Sequence, residues 1–319
     1  MTSVPQTDMP RMTTTPLAWR EVARGLAFPE GPVAMADGSI VLVEIKRGTV
    51  TRVSPDGTPS VIADLGGGPN GAAIGPDGAL YVCNNGGFRW HDVNGLTVPG
   101  ERADDYETGR IERVDLSTGA VTRLYESCDG NRLNGPNDIV FDAAGGFFFT
   151  DLGKSYGRVR DRGAVFYARP DGSMIREVIF PVESPNGVGL SPNGNTLYFA
   201  DTVPATLWAY PVAGPGEIVR GRGFFRGTPL AHPQGYQFFD SLAVEADGTV
   251  CVATIIRGGI TRIAADGSAI DHVPTDDLMT TNICFGGPDL RTAYVTCSAT
   301  GRLMAADWPA PGLRLNFGA

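Results

Sequence analysis

One pattern constrains this 319-residue chain more than any other: a polar residue, a short apolar stretch, an Asp-Gly-like turn and an apolar strand, written six times. The copies are PEGPVAMADGSIVLVEI from Pro29, PNGAAIGPDGALYVCNN from Pro69, PNDIVFDAAGGFFFTD from Pro136, PNGVGLSPNGNTLYFAD from Pro185, FDSLAVEADGTVCVAT from Phe239 and TNICFGGPDLRTAYVTC from Thr281. With Glu30, Asn70, Asn137, Asn186, Asp240 and Asn282 as position zero, residues seven further on are Asp37, Asp77, Ala144, Asn193, Asp247 and Asp289. The next residues are Gly38, Gly78, Gly145, Gly194, Gly248 and Leu290, so the turn pair keeps its place in five of six copies at each position. Asp-Gly or Asn-Gly between apolar runs is a strong hairpin signal, because both central residues tolerate positive φ. Position-zero residues follow each other at intervals of 40, 67, 49, 54 and 42 residues. A four-stranded propeller blade needs about 40–50. The remaining strands of each blade are sought in segments such as GTVTRVSPDG, GRIERVDLSTG, GAVFYARPDG, ATLWAYPV and GGITRIAADG.

The expected fold is therefore all-β: a six-bladed β-propeller with four-stranded blades around a central channel. Gly and Pro, 43 and 24 residues, supply the turns that many short strands need. Residues 1–18 read as a loose tail, and 19–319 as one propeller. The segment Trp19–Ala27 precedes the first copy and is expected to pair with the C-terminal end, closing the ring and hiding its edges. Extra chain occurs at 84–109, 153–163 and 221–239. The first of these carries Phe88, Trp90 and His91 and reads as a lid over the channel mouth.

Composition removes several functional classes. The net charge is −9 and no basic stripe is visible, which argues against nucleic acid and anionic membranes. No apolar run is long enough to span a bilayer, and the N-terminus has no secretory h-region. The five cysteines form no C-x-x-C pair, and Cys83, Cys251, Cys284 and Cys297 sit in apolar runs and read as small buried hydrophobes, so a cytoplasmic location is expected. No G-x-S-x-G elbow is present. His91, His232 and His272 are scattered.

Equivalent positions in a radial repeat form a ring about the axis. Position zero then gathers Glu, Asn, Asn, Asn, Asp and Asn at one point. Asn and Asp are poor strand residues, although they also cap strand starts and make Asx-turns. Converging carboxylates and amide oxygens without a cationic neighbour call for a metal ion. An all-oxygen set favours a hard ion, Ca²⁺ first, while Mg²⁺, Mn²⁺, Zn²⁺ or Fe²⁺ could enter the same site. No EF-hand loop is present.

These residues carry a resemblance. From residue 19 to 305 the chain is similar to the calcium-dependent propeller lactonases, the senescence marker protein (regucalcin) and gluconolactonase family. GLAFPEGPV, GPNDIVFD with FFFTD, SPNGVGLSPNGNTLYFAD and FFDSLAVEADGTVCVAT, in this order, carry it. Diisopropylfluorophosphatase resembles the same scaffold. The resemblance implies metal ligands at Glu30, Asn137, Asn186 and Asp240, with Asp240 as the preferred base and Glu30 as the other ring carboxylate able to take a proton. Asn70 and Asn282 are expected to support the ligands or touch substrate. Asn85, Trp90, Lys154 and Tyr156 are expected at the mouth as substrate contacts. The implied activity is hydrolysis of a small-molecule lactone, a sugar lactone or another small cyclic ester, by water attacking a metal-polarised carbonyl. The alternatives are phosphotriester hydrolysis or a lyase or isomerase reaction at the same metal, and a non-catalytic binding propeller.

Overall fold

The computed structural model describes residues 10–219 and 227–318. Six antiparallel sheets make six blades. From inside outward, blade 1 is Pro29–Ala34, Ile40–Glu44, Thr49–Val53 and Pro59–Asp64. Blade 2 is Pro69–Ile74, Leu80–Asn84, Arg110–Val114 and Val121–Tyr125. Blade 3 is Pro136–Phe141, Phe147–Asp151, Gly163–Ala168 and Ile175–Val182. Blade 4 is Pro185–Leu190, Thr196–Asp201, Thr206–Gly214 and Thr228–Ala231. Blade 5 is Phe238–Val244, Val250–Ile255, Gly259–Ile263 and Ile270–Pro274. Blade 6 is Thr280–Gly286, Thr292–Cys297 and Arg302–Asp307, and its outermost strand is Arg20–Arg24 from the other end of the chain. Each innermost strand touches the next, around to blade 1 again. Among the described residues no helix is long and apolar enough to cross a membrane.

Strands buried on both faces read as continuous apolar runs rather than alternating ones. Here each run divides between two interfaces. Phe147 and Phe149 pack toward Tyr81 and Ile111 of blade 2, while Phe148 packs toward Val188 and Phe199 of blade 4. Val41 and Val43 face blade 2; Ile40 and Leu42 face Leu303 of blade 6. The apolar core is thus six wedges between blades, which is why removing the closing strand would expose a complete wedge.

Two expectations need correction. The hairpin turns have positive φ only at the glycine position: Gly38 is at 83°, Gly78 at 75° and Leu290 at 57°. The preceding Asp instead accepts a hydrogen bond from the backbone N–H two residues on, as Asp37 Oδ1 does from Ser39 at 2.9 Å and Asp247 Oδ1 from Thr249 at 2.8 Å. The aspartate is therefore selected as an acceptor for an otherwise unpaired donor. Nor is residues 1–18 a loose tail throughout. Thr13–Thr14 pairs in parallel with Ile270–Pro274, and Trp19 Nε1 donates to Pro274 O at 2.8 Å, fastening this stretch to the outer edge of blade 5. Residues 1–9 of that expectation, and 220–226, where the third stretch of extra chain begins, lie outside the described residues.

The channel has two distinct ends. Position zero and the loops before each innermost strand lie at the upper end; the Asp-Gly hairpins lie at the lower end. Residues 311–318 cross the lower end, where Leu313 N donates to Val244 O at 2.8 Å and Asn316 Nδ2 to Phe141 O at 2.9 Å. Above them is a largely apolar cavity of about 970 Å³ that reaches up to Gly31, Asp138 and Asn282.

Candidate active site at the upper end of the channel

All six position-zero side chains are buried. Two local features bring them together. The first is a break in strand register around this position in every blade, for example between Glu30 and Val33, between Pro136 and Ile139 and between Thr280 and Asn282. A bulge re-aims side chains that regular alternation would turn away. The second is glycine at the next position in three blades, Gly31, Gly71 and Gly187. A Cβ on Gly31 would stand 2.5 Å from Asn70 O, and one on Gly71 would stand 2.4 Å from Asn137 O. Backbones that close hold neighbouring position-zero residues against each other.

The polar atoms are partly paired. Glu30 Oε2 accepts from Asn282 Nδ2 at 2.6 Å and from Gly31 N at 2.7 Å. Asn186 Oδ1 accepts from Ser241 Oγ at 3.4 Å, a long bond. Asn137 Oδ1 is buried and has no partner. Burial pushes the Glu30 carboxyl up to about 7. Asp240 is also raised, first by burial and then by the charge of Glu30. Among the described residues no cation figures among the groups acting on either acid.

A third carboxylate belongs to the cluster. Asp138 is buried and pushed up to about 7 by burial, with Glu30 adding to the shift. Its Oδ1 accepts from Ile139 N at 2.9 Å and its Oδ2 from Val188 N at 3.2 Å, so it spans blades 3 and 4. Sequence reasoning passed over it because it stands one place beyond the ring. The signal was there: the other blades have Gly31, Gly71, Gly187, Ser241 and Ile283 at this place, and a carboxylate is foreign to it.

Among the described residues no group of three or more His, Cys, Asp and Glu side chains is placed as metal ligands. The set expected here has only two carboxylates, and its other members are amides. The unpartnered Asn137 Oδ1 and two buried acids without a counter-cation fit a hard cation, since a buried unpaired acceptor or charge is otherwise costly.

The extra chain of blade 2 forms a hairpin, Phe88–Val93 with Leu96–Arg102, lying over the upper end. Trp90 packs on Phe28 of blade 1 at 5.0 Å between ring centroids. Thr97 N donates to Ala299 O of blade 6 at 3.1 Å, and Arg102 stacks 4.1 Å over the Tyr156 ring beside blade 3. Lys154 is buried under the base of this hairpin. Its Nζ donates to Asn85 Oδ1 at 3.0 Å and Gly87 O at 2.8 Å and sits 3.6 Å from the centre of the Phe88 ring. Burial lowers its pKa well below the ordinary lysine value. Asn85 Nδ2 is left buried without a partner. Tyr156 donates to Asp161 Oδ1 at 3.1 Å. Asn70 is in the ring, and Asn282 supports Glu30. Asn85, Trp90, Lys154 and Tyr156 thus fasten this hairpin to the blades.

Comparison with known proteins fits this geometry. The family described as SMP-30/Gluconolactonase/LRE-like region matches residues 28–299. The chain is 25% identical to a gluconolactonase of Zymomonas mobilis over 92% of its own length and 82% of that protein. It is 26% identical to the lactonase drp35 of Staphylococcus aureus over 85% of its length and 76% of that protein. The solved structure of regucalcin from Agrobacterium tumefaciens, described as a calcium-binding protein, superposes with a TM-score of 0.72 at 19% identity, covering 96% of this chain and all, 100%, of that one.

Proposed function

The chain belongs to the SMP-30/gluconolactonase/LRE-like family, and from that premise we propose that it is a divalent-metal-dependent lactonase. Glu30, Asn137, Asn186 and Asp240 would hold the ion, Ca²⁺ best by the oxygen-only donor set. The observation that carries the reading is the unpartnered, buried Asn137 Oδ1 beside two acids with no cation of their own. The names of the lactonase relatives and of the calcium-binding regucalcin support it. When bound, the ion supplies Lewis-acid polarisation of the lactone carbonyl and the positive charge the acids need.

The chain's own residues do the rest. Asp240 accepts the proton of the attacking water. The water oxygen bonds to the acyl carbon, the ring C–O bond breaks, and the proton passes to the leaving ring oxygen, giving the open hydroxy acid. General-base assistance of this kind contributes roughly 10²–10⁴-fold. Asn282 and the Gly31 N–H fix Glu30 Oε2, so that Glu30 keeps one orientation. Asn85 Nδ2 offers a donor to substrate oxygen, and the lid held by Trp90, Lys154 and Tyr156 limits water at the mouth. Asn70 completes the polar wall.

Acid release from D-glucono-δ-lactone, with and without a chelator, tests this, alongside calcorimetric titration of the metal-free protein with Ca²⁺. The expected result is turnover that a chelator abolishes and Ca²⁺ restores. Calcium binding with no opening of any lactone would overturn the proposal.

A further inference from the structure

The upper mouth is not uniform. On the lid side it carries charge: Lys46 lies 5.9 Å from the Trp90 ring, and Arg89 and Arg102 sit on the hairpin. The upper ends of blades 4 and 5 and the loop leading into blade 6 carry exposed apolar side chains, beside the Arg302–Asp276 ion pair. Tyr236 is 78% exposed, Val203 and Leu278 are each 51% exposed, and Ile256 is 38% exposed. Half-buried Phe238 joins them, with its ring 5.3 Å from that of Tyr236.

These residues are continuous with each other and with the acidic centre. Phe238 pairs with Ile255, and Ile256 N donates to Leu278 O at 2.7 Å. Phe239 N faces Thr202 O, next to Val203, at 3.4 Å. Phe238 is two residues from Asp240 on the same strand. Ile256 adds an independent sign. It has φ 73°, a left-handed conformation that a β-branched residue adopts only under strain, at a turn where Gly or Asn would sit freely. A strained, exposed isoleucine is a poor choice for stability alone.

Building on the lactonase reading, we infer that this ledge of blades 4–6 selects lactones bearing an apolar substituent, with the ring oxygens turned toward the polar lid side and the substituent lying on Val203, Tyr236, Phe238, Ile256 and Leu278. An alkyl substituent gains from burial against these side chains.

The test compares kcat/KM of the full-length protein, supplied with Ca²⁺, for δ-valerolactone, δ-octalactone, δ-decalactone and D-glucono-δ-lactone. Each methylene that seats on the ledge is expected to raise kcat/KM about threefold, chiefly through KM. Tyr236→Ser combined with Leu278→Ser is expected to lower the decalactone-to-valerolactone ratio about tenfold or more. Val61→Ser, at an exposed site on the outer strand of blade 1, is expected to leave that ratio unchanged. A flat chain-length series with gluconolactone still opened would overturn the ledge and leave the lactonase reading standing. Failure to open any lactone would overturn both. A dimer that the double substitution dissociates, with the ratio unaltered, would assign the ledge to a second copy of the chain and overturn the inference.

Discussion

The two ends of the channel are made by the same six strands and obey different rules. At the lower end the hairpin aspartates are locally explained. Asp37, Asp77 and Asp247 accept from the backbone of their own hairpins, glycine takes the left-handed position, and an apolar cavity is crossed by the C-terminal segment. At the upper end local rules fail together. Among the described residues three acids are buried without a cation, register breaks in each blade, and the amide oxygens of Asn137 and Gln237 have no partner. A fold maintains such a costly end when something binds there, and the contrast separates what the propeller needs from what its chemistry needs.

The sharpest way to break this contrast is to make the same substitution at both ends. Asp240→Asn is expected to lower kcat for lactone opening by about 10²–10⁴-fold while Ca²⁺ still binds, by calorimetry. Asp247→Asn keeps the accepting oxygen toward Thr249 and is expected to change kcat by less than about twofold. Equal effects would mean that the upper carboxylate has no special role.

Glycine offers a second pair. Gly71→Ala drives a Cβ into Asn137 O and Asp138 Oδ1, so a loss of about 2–4 kcal/mol in urea unfolding is expected, together with weaker Ca²⁺ binding. At Gly78 nothing lies within 4 Å of the added Cβ, and only the positive φ of 75° resists it. Gly78→Ala should cost about 1 kcal/mol and leave Ca²⁺ affinity unchanged.

Proton linkage gives a third measurement, on metal-free protein. Glu30 rises from 4.5 to about 7 on folding and Asp138 from 3.8 to about 7. An acid raised in this way binds its proton more tightly when folded. Its stabilisation is complete below the unfolded value and is lost as pH rises through the folded one. Tm of the metal-free protein should therefore fall by several degrees between about pH 5 and pH 8, and added Ca²⁺ should flatten the profile. A Tm that rises over this range without metal would contradict the burial of these acids.

The smallest effect is expected at the lower end. Truncation after Pro311 removes the Asn316 bond to Phe141 O and the Phe317 ring lying 5.9 Å from that of Phe141. Stability should drop by about 1–2 kcal/mol, with lactone kcat unchanged.

The residues alone determined the blade count, the strand order and the ring of Glu30, Asn70, Asn137, Asn186, Asp240 and Asn282, because a radial repeat puts equal sequence positions at equal places in space. They determined closure by the Trp19–Ala27 segment for the same reason: an edge strand at one end needs a partner at the other. Tertiary structure alone decided what a repeat does not encode. Asp138 enters the acidic centre because a bulge turns it inward, Asn282 serves Glu30 across the ring closure, and Thr13–Thr14 finds the edge of blade 5. Lys154 is drawn under the lid by Asn85 and Gly87, 69 and 67 residues away. Periodicity records what each blade shares, whereas these contacts join different blades, and only the closed ring brings them within reach.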